Sequence, residues 1–234
     1  MTLEQPLGHP TKRSSIMDDL YGLELSSQLF KGLEALDVGL NQDIQLIAYD
    51  HHWALPGLSI RNKSLVTIVS LMITDFSEQL KGHLYGFIHV NKMELNNTIM
   101  MLLKLLLKLT EQYEYTEKNI ELVMQILKEK GLHSDLIATY RSQFLQKKID
   151  YVLSQNDIDI IEISASVASR NLNNIDQNIL NYLNNHRGDD RQIRDILRHQ
   201  SVYCGYPTAV NGFARLAKVS AEYRAINSQD PSNL

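Results

Sequence analysis

Between Ile99 and Leu109 the chain reads Ile-Met-Met-Leu-Leu-Lys-Leu-Leu-Leu-Lys-Leu, eleven residues interrupted only by Lys104 and Lys108. A membrane-spanning helix needs about 20 apolar residues, so this run is too short to cross a bilayer. Set on a helix, Asn97, Lys104, Lys108 and Glu111 fall at i, i+7, i+11 and i+14, one narrow polar stripe on an otherwise apolar cylinder. Such a helix must be surrounded. It is either a core helix or one face of a subunit interface.

The rest of the chain also reads as helix. No run of alternating Val, Ile and Thr is bounded by Asn-Gly or Asp-Gly turns. Ser14 or Ser15 is placed to cap a first helix reaching about Leu33. A short one over Asn41 to Tyr49, with Ile44, Leu46 and Ile47 inward, stops at the Pro56-Gly57 turn. Ser59 is a natural N-cap for Ile60 to Thr74, and Ser77 for the next helix, with Leu80, Leu84, Phe87 and Ile88 inward. Thr116 is placed to cap an amphipathic helix that buries Ile120, Val123, Met124 and Leu127 and ends at Gly131. Ser134 opens another, with Leu136, Ile137, Phe144, Ile149 and Val152. Asp157 to Ser169 is rich in β-branched Ile but reads as helix from its Ala/Ser-rich end. Three more cover Asn174 to Asn185, Asp189 to Cys204 and Thr208 to Ala225. The fold class expected is all-α, a bundle of roughly ten helices in two similar halves.

With 234 residues, 44% of them hydrophobic and 21% charged, the chain can bury a sizeable core. The net charge of -4 carries no basic block, which argues against nucleic acid and anionic membrane as partners. Cys204 is the one cysteine, so neither a disulfide framework nor a Cys-x-x-Cys pair exists within the chain. Met1 to Ser15 has no apolar core and does not read as a secretory signal, so a cytoplasmic protein is expected. No His-x-x-x-His or His-x-x-Glu-His pair occurs, and no metal or other cofactor is expected.

A weak repeat runs at a separation of about 95 residues. Leu65 to Phe76 lies over Ile160 to Asn171, Leu80 and His83 over Ile175 and Asn178, and the greasy helix over Ile193 to His199. This organises the chain as a flexible arm (1–15), a first module (16–112), a connecting helix (113–133), a second module (134–226) and a loose tail (227–234). A single module with Gln112 to Asp157 inserted is the competing account.

Two blocks carry a family resemblance. The first holds Trp53, Pro56, Gly57, Leu58, Arg61, Ser64, Leu65, Val66, Thr67, Leu80 and His83 at fixed spacing. The second runs from Leu197 through His199, Tyr203, Gly205 and Pro207 to Ala209. Together they resemble the carboxymuconolactone decarboxylase family, whose superfamily includes the alkylhydroperoxidase D peroxidases. Each half keeps a different part of the pattern: the first has the His, the second has Tyr-x-Gly-x-Pro with Asn178 in the place of the His. The peroxidase branch carries a Cys-x-x-Cys where this chain has Phe76 and Gln79. A lone Cys204 cannot run a dithiol cycle within one chain.

The resemblance implies a cofactor-free lyase that decarboxylates a carboxylated lactone or related cyclic acid, assembled as a trimer or hexamer-like homo-oligomer. Losing CO2 leaves an electron pair that a conjugated carbonyl must hold. The site then needs a cation at the departing carboxylate, a donor at the carbonyl oxygen and an acid for carbon. Those roles fall to Arg61 or Lys63, to Tyr203, and to His83, with His199 as a spare acid and His52 and Trp53 lining the cleft. Leu55 and Lys63 stand where the family pattern usually has Arg, which changes how a carboxylate would be gripped. His83 could also be a satisfied structural histidine, and Arg61 and Lys63 a solvated surface. A lapsed member that binds a small ligand, or serves as an assembly partner, is the alternative.

Overall fold

The computed structural model describes residues 12–91, 93–113 and 117–228. The expected cap Thr116, most of the N-terminal arm and all but the first two residues of the tail lie outside them. Among the described residues there is no strand, and the fold is all-α. They form two compact units, one ending at Pro56 and one beginning at Gly57.

In the first unit Ser14 caps α1 (Ser15–Tyr21), its side chain accepting from the amide of Ile16. The single helix expected to reach Leu33 is broken at Gly22, whose φ of 77° only glycine adopts without strain. The chain restarts as α2 (Leu23–Leu36), and Asp37 then caps α3 (Val38–Asp43). A ten-residue π-helix, Ile44–Trp53, follows. Its wider turn corrects the expected face: Leu46 and Ile47 are about half exposed, while Asn41, Gln45, Tyr49 and Trp53 are buried at four-residue steps. Gln45 bridges the stripe, donating to Asn41 and accepting from the Ser14 amide. Tyr21 and Tyr49 share a hydroxyl contact of 3.2 Å, and burial pushes the Tyr49 phenol up to about 12.

The second unit holds α4 (Ile60–Thr74), α5 (Ser77–Val90), α6 (Leu95–Gln112), α7 (Glu117–Glu129), α8 (Ser134–Leu145), α9 (Gln155–Ala168), α10 (Leu172–Asn185), α11 (Arg191–Cys204) and α12 (Tyr206–Asn227). Ser59 and Ser154 cap α4 and α9, each accepting from the amide three residues on. Asp75 and Arg170 close the same two helices in the left-handed region, at φ 63° and 59°. Both pairs lie 95 positions apart, as do the first residues of α5 and α10. Local geometry thus repeats at the separation read from the sequence, although few side chains are shared.

The greasy helix is α6, and it is core. Met101, Leu103, Leu105 and Leu106 are fully buried, and Ile99, Leu102 and Leu109 are at most 2% exposed. Its apolar surface is spent inside the chain, so it is not a subunit face. Lys108 in its polar stripe reaches Glu162 of α9 at 2.6 Å. α8 is shorter than expected, ending at Leu145: Phe144 is buried but Leu136 is exposed, and Ile149 (buried) and Val152 (exposed) lie beyond its end.

Hydrogen bonds fix how the central helices lie. Gln192 donates to Asn156 and Gln200 to the carbonyl of Ser164, at 2.7 and 2.8 Å. The sequence offset is the same in both, so α11 runs parallel to α9 and in register with it. Gln200 also donates to Ser70, and Thr67 meets His199, which lays α4 alongside in the same direction. Gly57 lets the turn before α4 approach α11. A Cβ there would sit 1.9 Å from the Asp195 carboxylate, whereas one on Gly82 would meet nothing within 4 Å. Gly57→Ala is therefore expected to lower stability by about 1–3 kcal/mol. Gly82→Ala, in mid-helix, should raise it by about 0.5–1 kcal/mol. Thermal melts of the two variants check the contrast in sign.

Candidate active site

The middle of the second unit contains an unusual layer of polar side chains. Ser64, Thr67 and Ser70 on α4, Ser164 and Ser166 on α9, and Gln200 on α11 are all fully buried, with His199 1% exposed. Lys63, Thr67 and Ser70 recur at i, i+4 and i+7, so they form one polar seam along α4. That seam faces α11.

His83 projects from α5 into this region, and α11 supplies His199 and Tyr203 one turn apart. The His83 and Tyr203 rings meet edge to face with centroids 5.3 Å apart and planes at 89°. The His199 ring lies 5.5 Å from Tyr203 at 49°. Thr67 Oγ1 is 2.9 Å from His199 Nε2. His83 is 7% exposed, and the Tyr203 side of the cluster is half-buried. Three residues named from the sequence, two of them 120 positions apart, therefore share one small volume.

Burial pushes the His83 imidazole down to about 3. At neutral pH the ring is uncharged, because an imidazolium there would lose its hydration. It can donate a hydrogen bond through its N–H or accept a proton. The Tyr203 phenol, whose ring meets that of His83, is a second proton-bearing group beside it.

The two cations are placed differently from the expectation. Arg61 pairs with the buried carboxylate of Asp157, which Ser154 also holds at 2.8 Å. Its guanidinium touches Met101 and lies 5.8 Å above the Phe87 ring. Lys63 is 4% exposed, so neither side chain is a solvated surface group. Desolvation lowers the Lys63 ammonium, and the charge of Asp195 partly restores it. Both cations thus have acidic residues at hand. Arg61→Ala would leave Asp157 buried without its partner. Because the Arg61 side chain is 22% exposed, solvent screens part of that cost, and about 2–3 kcal/mol of stability should be lost. Urea titration measures the loss, and adding Asp157→Asn should recover part of it.

His52 and Trp53 belong to the first unit. Both are buried, at 7% and 3%, with Trp53 6.4 Å from the Tyr49 ring and His52 4.9 Å from that of His51. Cys204 is half-buried. Desolvation raises its thiol, against the opposing influence of Ser70 and Arg170. That is the setting of a small packing residue rather than of a thiolate nucleophile.

Thr67, Gln200, Asp157 and Asp195 were not distinguishable as site residues in the sequence. The one available signal was the polar spacing 63, 67, 70 inside an apolar run. No family model matches the chain, and no curated protein matches it. No helix among the described residues is long and apolar enough to cross a membrane.

Proposed function

We propose that the second unit is a cofactor-free lyase of the carboxymuconolactone decarboxylase type, acting on a carboxylated lactone or related cyclic acid. The observation that carries this reading is the meeting of His83, Tyr203 and His199 away from bulk water. In the step envisaged, the bond from ring carbon to carboxylate breaks and its electron pair passes to the conjugated carbonyl, giving an enolate and CO2. The N–H of neutral His83 steadies the enolate oxygen, and the Tyr203 hydroxyl returns a proton to carbon. Water exclusion strengthens both interactions. A small anionic substrate and a homo-oligomer are part of the same proposal.

A second reading has its own support. Arg61 is committed to Asp157 and Lys63 lies within the influence of Asp195, so both cations expected to hold the substrate's carboxylate are already engaged by acidic residues. A lapsed member that binds a small neutral ligand accommodates that arrangement. The deciding experiment is incubation with carboxymuconolactone while CO2 release is followed, with His83→Ala as control. Release that the variant loses supports the lyase. No release, or equal release from the variant, overturns it in favour of the binder.

A further inference from the structure

We propose that Thr67 is a positioning residue for this site, its hydroxyl donating to His199 Nε2 and thereby holding the ring proton on Nδ1. The contact is 2.9 Å, with Thr67 fully buried and His199 1% exposed. Among the described residues, His199 Nε2 is the hydrogen-bond partner of the Thr67 hydroxyl. A buried O–H that donates to nothing is costly, so its proton goes to the ring nitrogen. A neutral imidazole has one lone-pair nitrogen and one N–H. If Nε2 accepts, Nδ1 carries the hydrogen.

The contact is also fixed along the helix axes. One residue further on, Gln200 donates to Ser70 Oγ at 3.0 Å and to the Ser164 carbonyl at 2.8 Å, so α11 cannot slide against α4 or α9. Three other helical threonines turn their hydroxyls onto their own helix: Thr74 to Ser70, Thr110 to Leu106 and Thr139 to Asp135. Thr67 is turned instead to a ring on another helix. The His199 ring in turn packs against Tyr203, with centroids 5.5 Å apart. The positioning role rests on the lyase reading, in which Tyr203 supplies the proton. The tautomer does not.

Nitrogen-15 NMR of the histidine rings tests the tautomer, with His199→Gln used to assign the signal. The expected result is a neutral ring protonated at Nδ1 in the wild type and in Thr67→Ser, and a mixed or reversed tautomer in the isosteric Thr67→Val. Protonation at Nε2 in the wild type, or spectra unchanged by Thr67→Val, overturns the proposal. Should Thr67→Val not fold, the wild-type spectrum decides. Kinetics with carboxymuconolactone form the second arm. Thr67→Val should lower kcat about tenfold with KM little changed, and Thr67→Ser should restore it. An unchanged kcat in Thr67→Val overturns the positioning role. If even the wild type releases no CO2, the lyase reading and that role fall together, and the NMR arm still decides whether Thr67 fixes the tautomer.

Discussion

On the proposed lyase reading, His83→Ala is expected to slow decarboxylation by about 10²–10⁴-fold, the range associated with one well-placed proton-transfer or hydrogen-bonding group. Most of the loss should appear in kcat. The His83 ring lies against Tyr203 in a place with little water, where a hydrogen bond to a developing enolate is worth far more than to the ground-state carbonyl. Tyr203→Phe should cost a comparable factor, because it keeps the edge-to-face packing and removes only the proton. The two losses should not add, since both variants disable the same step. Steady-state kinetics on the single and double variants tests this. Fully multiplicative losses would mean that the two groups act independently.

The second large effect is on acid stability. An imidazole is ordinarily half-protonated near 6.5, and in the folded protein burial moves His83 down to about 3. The folded state thus refuses a proton that the unfolded chain accepts. The stabilisation is complete above pH 6.5, declines as the pH falls from 6.5 towards 3, and levels off below that. Each pH unit in that window costs about 1.4 kcal/mol, so the total is on the order of 5 kcal/mol. His83→Asn removes the titrating group and uses the side chain found 95 positions later, at Asn178. Urea unfolding between pH 7.5 and 4 should show a steeper decline in wild type than in the variant. Parallel declines would sink the assignment.

How much of this was legible in the sequence depended on whether the signal was local. The caps at Ser14 and Ser59 and the left-handed Gly131 could be read because they depend on a few neighbouring residues. Burial of Leu80, Leu84 and Phe87 followed from spacing alone. The Ile-rich α9 formed despite its β-branched residues, because its Ser154 cap and buried face outweigh a weak propensity. Gly22 was passed over because a glycine inside a periodic stretch can be tolerated, and only its φ of 77° shows that it breaks the helix. The face of the π-helix could not be read, since the ordinary helical period was assumed and its turns are wider. Among the site residues, His83, His199 and Tyr203 were found through their motifs. Asp157 and Asp195 were missed because charge interactions with partners far along the chain, Arg61 and Lys63, leave no local mark. Thr67 was noticed only as a letter in a pattern.

The parallel alignment of α11 with α4 and α9 bears on how the molecule comes into being. His83 leaves the ribosome long before Tyr203, and closing a chain segment of that length is entropically slow. Thr67 and Ser70 of α4 and the Ser164 carbonyl of α9 gain their α11 partners only once that helix is in place. Ring contacts at Tyr203 are then among the last to assemble, and a signal from that tyrosine would report completion of the whole second unit rather than of any one part.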